Sequence, residues 1–387
     1  MPGPERPPRI MITAGETSGD LLGAGLAAAI RSVRPDAELF GMGGEAMAGA
    51  GVRLVQDSAP VSVVGIVEVL SHLSDIRAAM ARLKAVIDEE KPDILVPVDF
   101  PDFNLRLATY ARSRGVRVVY FVSPQVWAWR KGRVHQIRRI VDHMLVLLPF
   151  EEPFYREAGV PVTFVGHPVA ERVPAAGSDE LLESILDHAG LSPDAPTVAL
   201  VPGSRKSEVG RILPAMLGAA RLLSRERPEL QFLISRAPGI EAGWFEGQLA
   251  AAAVPRLVAH GGSFPELLRG CRAGVVASGT ACLEAAMTGL PMVVVYRMNL
   301  VSYLLGRLLV QIDHIAMPNL VAGRAVLPEL VQGECRPDRI AEELSRLLDS
   351  PDQAAEMRSA LLAIRDQLQG QGAYPRAAEA VLNHWNP

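Results

Sequence analysis

Short apolar runs alternate with helical patterns from one end of this chain to the other, and that alternation limits its fold more than any other feature. Ile10–Ala14, Glu38–Met42, Asp93–Val98, Arg117–Val122, Met144–Leu148 and Val162–Val165 carry Val, Ile and Leu on consecutive positions. Consecutive apolar residues mark strands buried on both faces, as in a parallel sheet. Between two of them, Ile76, Met80, Leu83 and Ile87 recur at spacings of four, three and four, which is one face of a helix. That helix is predicted from about Ser74, a good N-cap, to Glu90, with Pro92 preventing continuation. His167–Asp179 breaks the pattern with prolines, a glycine and alanines, and reads as a linker. A second alternation follows, with strands at Val198–Val201, Gln231–Ile234, Val275–Ala277 and Met292–Tyr296, and a helical pattern from Pro337 onward. The fold class predicted is α/β: two Rossmann-like, doubly wound domains facing a cleft, over residues 1–170 and 180–387. The C-terminal helices are assigned to the second domain.

Composition narrows the function. Hydrophobic residues make up 49% of the 387, enough for two cores. The formal charge of −4, from 43 acidic and 39 basic side chains, gives no electrostatic footprint for nucleic acid. Cys271, Cys282 and Cys335 lack CxxC spacing, and the histidines lack ligand spacing. No disulfide framework or metal site is therefore expected, and no cofactor is assigned. A reducing, cytoplasmic compartment fits. No uncharged apolar run reaches the roughly 18 residues of a membrane span. Two runs, VSVVGIVEVLSHL (61–73) and LVSYLLGRLLVQI (300–312), each carry a single Asp, Glu, Lys or Arg. They read either as core helices or as elements lying in a membrane interface.

In doubly wound sheets ligands bind beyond the carboxyl ends of the strands, so the chemistry is sought in the loops there. Val201-Pro202-Gly203-Ser204-Arg205 follows a buried strand. Gly203 permits close approach, Ser204 donates hydrogen bonds, and Arg205 can grip a diphosphate with two parallel bonds. The alternative is an ordinary turn whose Arg205 pairs with Glu208. Ser278-Gly279-Thr280 precedes another helix, where unpaired N–H groups and the helix dipole favour an anion. Glu284, one turn on, could accept the ribose hydroxyls of a nucleotide or merely cap and solvate.

The first half offers Gly15-Glu16-Thr17-Ser18-Gly19-Asp20, which is neither GxGxxG nor a P-loop. Glu16 and Ser18 are its candidate substrate contacts, against a plain tight turn. Asp99 sits just past a strand and either serves as a general base, if it reaches a substrate hydroxyl, or is merely structural; with Asp102, three residues on, it could also hold a metal or cap a helix. Asp102 suits a helix cap. Trp127, Trp129, Arg130, Lys131 and Arg133 form either a surface for an anionic, partly apolar ligand or buried packing.

These loops resemble one family. AGETSGDLLGAGL (14–26), GMGGEAM (41–47), VGIVEVL (64–70), VDFPDFN (98–104), SPQVWAWR (123–130), LPFEEPFY (148–155) and FVGHP (164–168) look like lipid-A-disaccharide synthases. So do VPGSRKSEV (201–209), ASGTACLEAAMTGLPMVVVYR (277–297) and MPNLVAGRAVLPELVQ (317–332), in order along nearly the whole chain. The resemblance implies a metal-independent, inverting glycosyltransferase of GT-B type. It would join UDP-2,3-diacylglucosamine to 2,3-diacylglucosamine 1-phosphate (lipid X), releasing UDP and forming a β-1,6-linked disaccharide. On it, Asp99 would take the proton of the acceptor's 6-hydroxyl and Arg205 would stabilise the departing diphosphate. Ser278, Gly279 and Thr280 would cradle phosphate, Glu284 would hold ribose, Asn319 would help position the donor, and Gly203 and Ser204 would also contact substrate. Val63, Ile66, Val67, Leu70 and Leu73 would dip into the inner face of the cytoplasmic membrane, and the resemblance leaves room for a homodimer. Thr17, Phe100 and Met317 depart from the family's usual residues without touching a proposed polar role. The rivals are a UDP-N-acetylglucosamine 2-epimerase, to which the Trp-Ala-Trp-Arg block is foreign, and a non-catalytic membrane-associated carrier.

Overall fold

The computed structural model describes residues 6–61, 73–129, 131–173, 180–262, 264–299, 303, 312–368 and 372–386. The chain forms two compact units: Met1–Pro168 together with Leu368–Pro387, and Val169–Gln367.

The first unit holds a seven-stranded sheet in the order β3-β2-β1-β4-β5-β6-β7, parallel throughout. The strands are β1 Arg9–Ala14, β2 Glu38–Gly43, β3 Arg53–Asp57, β4 Ile94–Val98, β5 Arg117–Phe121, β6 His143–Val146 and β7 Val162–Phe164. Side chains alternate across the sheet, so each strand feeds two cores. Met11, Leu95, Val118 and Met144 enter one core; Ile10, Ile12, Ile94, Val96, Val119 and Leu145 enter the other. This double burial is why the central strands read as unbroken apolar runs.

The second unit repeats the plan with six strands, β10-β9-β8-β11-β12-β13, again all parallel. They are β8 Thr197–Val201, β9 Gln231–Arg236, β10 Leu257–Gly261, β11 Ala273–Ala277, β12 Met292–Tyr296 and β13 Glu329–Val331. In each sheet the strand order reverses once, between β1 and β4 in the first and between β8 and β11 in the second. A crevice forms at such a reversal, because the flanking connections leave in opposite directions.

Several expectations need correction. The C-terminal stretch from Leu368 belongs to the first unit, not the second. Its helix Ala373–Leu382 places Ala377, Ala378 and Val381 in one core with Ile10 and Ile30. Tyr374 lies so close to the helix Thr17–Val33 that a Cβ on Gly25 would stand 2.2 Å from its ring. A glycine there is what lets the two helices meet. The helix predicted from Ser74 already includes Leu73 and runs to Glu90, so Ser74 lies inside it. Within the linker stretch Val169–Arg172 is a helical turn, and residues 174–179 lie outside the described residues.

Candidate active site

Asp99 stands at the reversal of the first sheet. Val98 pairs with Ala14 across β4 and β1, so the loops Gly15–Asp20 and Asp99–Phe100 leave the sheet side by side. The backbone here is forced: Asp99 and Phe100 have φ of 46° and 50°, both left-handed. Each such residue costs of order 1 kcal/mol or more and persists only where its surroundings hold it. Asn104, fully buried, is the main clamp. Its amide donates to the carbonyls of Asp99 (2.8 Å), Thr13 (3.2 Å) and Val98 (3.3 Å), and its Oδ1 accepts from the Thr13 hydroxyl at 3.0 Å. The Tyr120 hydroxyl donates to the Asp99 carbonyl at 2.7 Å, and the Asp99 N–H reaches the Phe121 carbonyl at 3.2 Å. Gly15 is required on the other side, because a Cβ there would lie 2.2 Å from the Phe100 ring.

The carboxyl of Asp99 is pushed up to about 6, chiefly by burial and further by the negative charge of Glu16. The N–H of Phe100 opposes this by stabilising the carboxylate. A carboxylate with that value is ionised at neutral pH yet basic enough to accept a proton.

The other residues of the first loop divide in use. Thr17 and Ser18 are exposed and Glu16 is half-buried. Asp20 faces inward, accepting N–H groups of Gly44 (2.7 Å), Ala46 (3.0 Å) and Met47 (3.1 Å) at the start of the helix Glu45–Gly49. It thus caps a neighbouring helix from a distance. Asp102 is not the cap of its own helix, Pro101–Ser113. Phe100 occupies that position, because Pro101 supplies the pre-set first helical residue, and Asp102 in the first turn pairs with Arg133.

Trp127 is half-buried, with its indole N–H on Glu151 at 3.1 Å. Nothing is described of the Trp129, Arg130 and Lys131 side chains. Val63, Ile66, Val67 and Leu70 lie outside the described residues, as does nearly all of 300–312. Leu73 opens the helix Leu73–Glu90 and is half-buried. No helix among the described residues is long and apolar enough to cross a membrane. Among them, no cluster of His, Cys, Asp or Glu could hold a metal ion.

In the second unit the two expected loops meet at the sheet reversal. Val276 pairs with Val201, so Pro202–Arg205 and Ser278–Thr280 begin next to each other. Ser204 and Arg205 are exposed. Gly203 has φ of 105°, and a Cβ there would lie 2.5 Å from a carboxylate oxygen of Glu208. Burial raises the Glu208 carboxyl above the usual range, against the Arg205 charge and the N–H groups of Ser204 and Arg205, which face it and favour the carboxylate. Glu208 is the third residue of the helix Lys206–Glu226 and reaches back to the capping position, half of a capping box. Those two amides therefore face a carboxylate of the loop's own helix. An anion here would meet the Ser204 hydroxyl and the Arg205 guanidinium instead. Tyr296, at the end of β12, also faces Arg205 and Glu208, and burial raises its hydroxyl.

The second loop is open. Gly279 has φ of 149°, no atom of the described residues lies within 4 Å of where its Cβ would stand, and as the N-cap of the helix Thr280–Thr288 it brings no capping side chain. Ser278 is half-buried, with its hydroxyl toward the Ile315 carbonyl at 3.4 Å. Glu284 is half-buried one turn along.

Asn319 is 1% exposed and fully engaged. Its amide donates to the Leu327 carbonyl (3.0 Å) and Glu329 (2.7 Å), and its oxygen accepts from Val326 (2.8 Å) and Leu327 (3.1 Å). That uses both protons and both lone pairs. It can position a donor only through the loop it holds, where Glu329 also takes the N–H groups of Ile315 and Ala316. Glu151, Asn104, Tyr120, Tyr296 and Glu329 were not singled out from sequence. Each is an ordinary residue type whose significance comes only from what surrounds it.

Solved structures resemble this chain along nearly its whole length. One is a glycosyltransferase of kitacinnamycin (TM-score 0.66, 18% identity, 99% of this chain and 100% of that one). Another is a UDP-GlcNAc 2-epimerase from Neisseria meningitidis bound to UDP-GlcNAc (TM-score 0.61, 11% identity, 97% and 98%). At such identities the likeness concerns fold alone, which is that of the GT-B glycosyltransferases. Sequence likeness goes further. The chain is 48% identical to the lipid-A-disaccharide synthase of Myxococcus xanthus over 376 residues, 97% of each chain. It is 46% identical to that of Syntrophus aciditrophicus over 96% of this chain and 97% of the other. Residues 10–383 match the LpxB family, lipid-A-disaccharide synthetase. The chain therefore belongs to the lipid-A-disaccharide synthase family, and it is a hexosyltransferase that forms the lipid A disaccharide.

Proposed function

We propose that the first unit takes the acceptor, lipid X, and the second takes UDP-2,3-diacylglucosamine. Asp99 receives the proton of the acceptor's 6-hydroxyl as that oxygen attacks the anomeric carbon of the donor sugar. The bond from that carbon to the diphosphate oxygen breaks, the configuration inverts, and UDP leaves. Negative charge grows on the diphosphate as the bond stretches, and Arg205 with Ser204 stabilises it. The uncapped helix start at Ser278–Thr280 cradles phosphate, and Glu284 takes the ribose hydroxyls. Gly203 makes room for Glu208 beneath the loop that carries Arg205. Glu16 and Ser18 border the acceptor, with Glu16 tuning Asp99. The one observation that carries this reading is Asp99 itself. It is a half-buried acid on a left-handed backbone at the sheet reversal, with its carboxyl at about 6.

The test is to mix the protein with both substrates in detergent and follow UDP and glycolipid by mass spectrometry. Disaccharide 1-phosphate with wild type, and its absence with Asp99→Ala, is the expected result. UDP release without disaccharide would point instead to hydrolysis or epimerase-like chemistry. Peripheral attachment to the inner face of the cytoplasmic membrane through residues 63–73 belongs to the same reading. Co-sedimentation with anionic vesicles that fails to weaken on replacing Val63, Ile66, Val67 and Leu70 by Ser would remove it.

A further inference from the structure

Glu151 has no part in the chemistry above, yet it is a carboxylate only 3% exposed. It opens the helix Glu151–Glu157 in the loop after β6. One oxygen accepts the Trp127 indole N–H at 3.1 Å and the other the Leu148 N–H at 3.1 Å. The Ser123 hydroxyl and the Leu147 N–H also face it, and burial pushes its carboxyl up to about 7. Ser123 in turn shares a hydrogen bond of 2.7 Å with the buried Tyr155. A buried acid is a poor means of gaining stability, since an apolar side chain of similar volume often does as well or better. Its use here calls for a geometric reason.

What Glu151 fixes is a wall built by the loops after β5 and β6, the strands next in order to β4. It ties together the loop after β5, the helical turn Val126–Trp129 and the loop after β6. β5 is hydrogen-bonded to β4, and both Tyr120 and Phe121 at its end hold the Asp99 backbone. Trp127 is the half-buried aromatic of this wall. Because its only polar atom points inward to Glu151, the surface it leaves half-exposed is hydrocarbon ring. Phe150 braces it edge-on, with centroids 4.8 Å apart and planes at 83°. The negative face of an indole attracts the polarised C–H groups that line one side of a pyranose.

We propose that Trp127 is the platform on which the acceptor's acylated sugar lies beside Asp99, and that Glu151 is the positioning residue that sets the ring. This rests on the reading of the first unit as the acceptor unit.

Steady-state kinetics in detergent, with each substrate varied in turn, test it. Trp127→Leu should raise the acceptor KM about tenfold, the loss of one stacking contact, with a smaller fall in kcat. The donor KM should not move. Glu151→Gln should give the same split, because a side-chain amide would oppose its own N–H groups to the donors around it. It should also shift Trp127 fluorescence to the red and make it more open to acrylamide, read as the difference from Trp127→Leu. Trp127→Phe, which keeps an aromatic face, should recover most of the acceptor KM. If Glu151→Gln fails to fold, the two Trp127 variants decide. An unchanged acceptor KM in Trp127→Leu, or Trp127→Phe no better than Leu, overturns the proposal. A rise in donor KM alone would show instead that the first unit takes the donor, overturning the reading beneath it.

Discussion

The two sheet reversals solve opposite electrostatic problems with the same topology. At the first, the chain accepts left-handed backbone at Asp99 and Phe100, buries a carboxyl beside another acid, and locks it with Asn104 and Tyr120. At the second, strain is confined to glycines, Arg205 is left exposed, and Glu208 relaxes the loop by capping it. A proton acceptor needs its charged form made less comfortable, which takes desolvation and a rigid frame. An anion site needs donors that remain free for a ligand, which takes exposure and an open helix start. On the proposed roles, the difference between the units follows from what each must do to charge.

The largest expected effect tests the first unit. Asp99→Ala should lower turnover about 10²–10⁴-fold, measured as disaccharide formed per minute. A loss below tenfold would mean that the proton goes elsewhere. Next, Arg205→Ala should cost about 10²–10³-fold in turnover with little change in acceptor KM. An equal rise in acceptor KM would blur the division between the units.

The comparison sharpens with pH. As a base, Asp99 must be ionised, so kcat/KM should fall as pH drops below about 6. Glu16→Gln removes the adjacent negative charge and should move that limb to lower pH. A limb that stays in place would show that burial alone sets it. Stability should respond with the opposite sense. A carboxyl raised in the folded state favours the fold while protonated, and that advantage is lost as pH rises through the folded value. Asp99→Asn should therefore stabilise the protein by on the order of 2 kcal/mol near pH 8, fading toward about pH 4, as read from urea unfolding. The smallest effect belongs to the second unit. Glu208→Ala removes a cap worth about 1 kcal/mol and should lower the thermal midpoint by roughly 2–4 °C.

The sequence carries the central strands clearly, because each is buried on both faces and reads as an apolar run. It hides β3, β10 and β13, which are all edge strands. Arg53–Asp57 and Leu257–Gly261 show their ends or alternate residues to solvent, and Glu329–Val331 is three residues long. None offers a continuous apolar signal. The candidate site was legible wherever a loop follows a central strand, which is how Asp99, Arg205 and Ser278 stand out. Its supports were not. Asn104 lies within a helix pattern, and Glu151 sits in a Glu-Glu-Pro run that resembles a solvated helix start. Only the folded neighbourhood shows that one is fully buried and the other 3% exposed. Asn319 shows the converse. Its family block drew notice, but its saturated hydrogen bonds make it a brace for a loop.

The return of Leu368–Pro387 to the first unit sets an order of events during synthesis. The strands of that unit leave the ribosome first, but Ala377, Ala378 and Val381, which complete one of its cores, come last. Residues 169–367 lie between, an interval of roughly 10–40 s at about 5–20 residues per second. Through that interval the groove on Thr17–Val33 that receives Tyr374 has no occupant from its own chain. A nascent chain in that state exposes apolar surface and is a natural client for chaperones. A ribosome stalled before residue 368 would carry a second unit with all its residues made and a first unit still open.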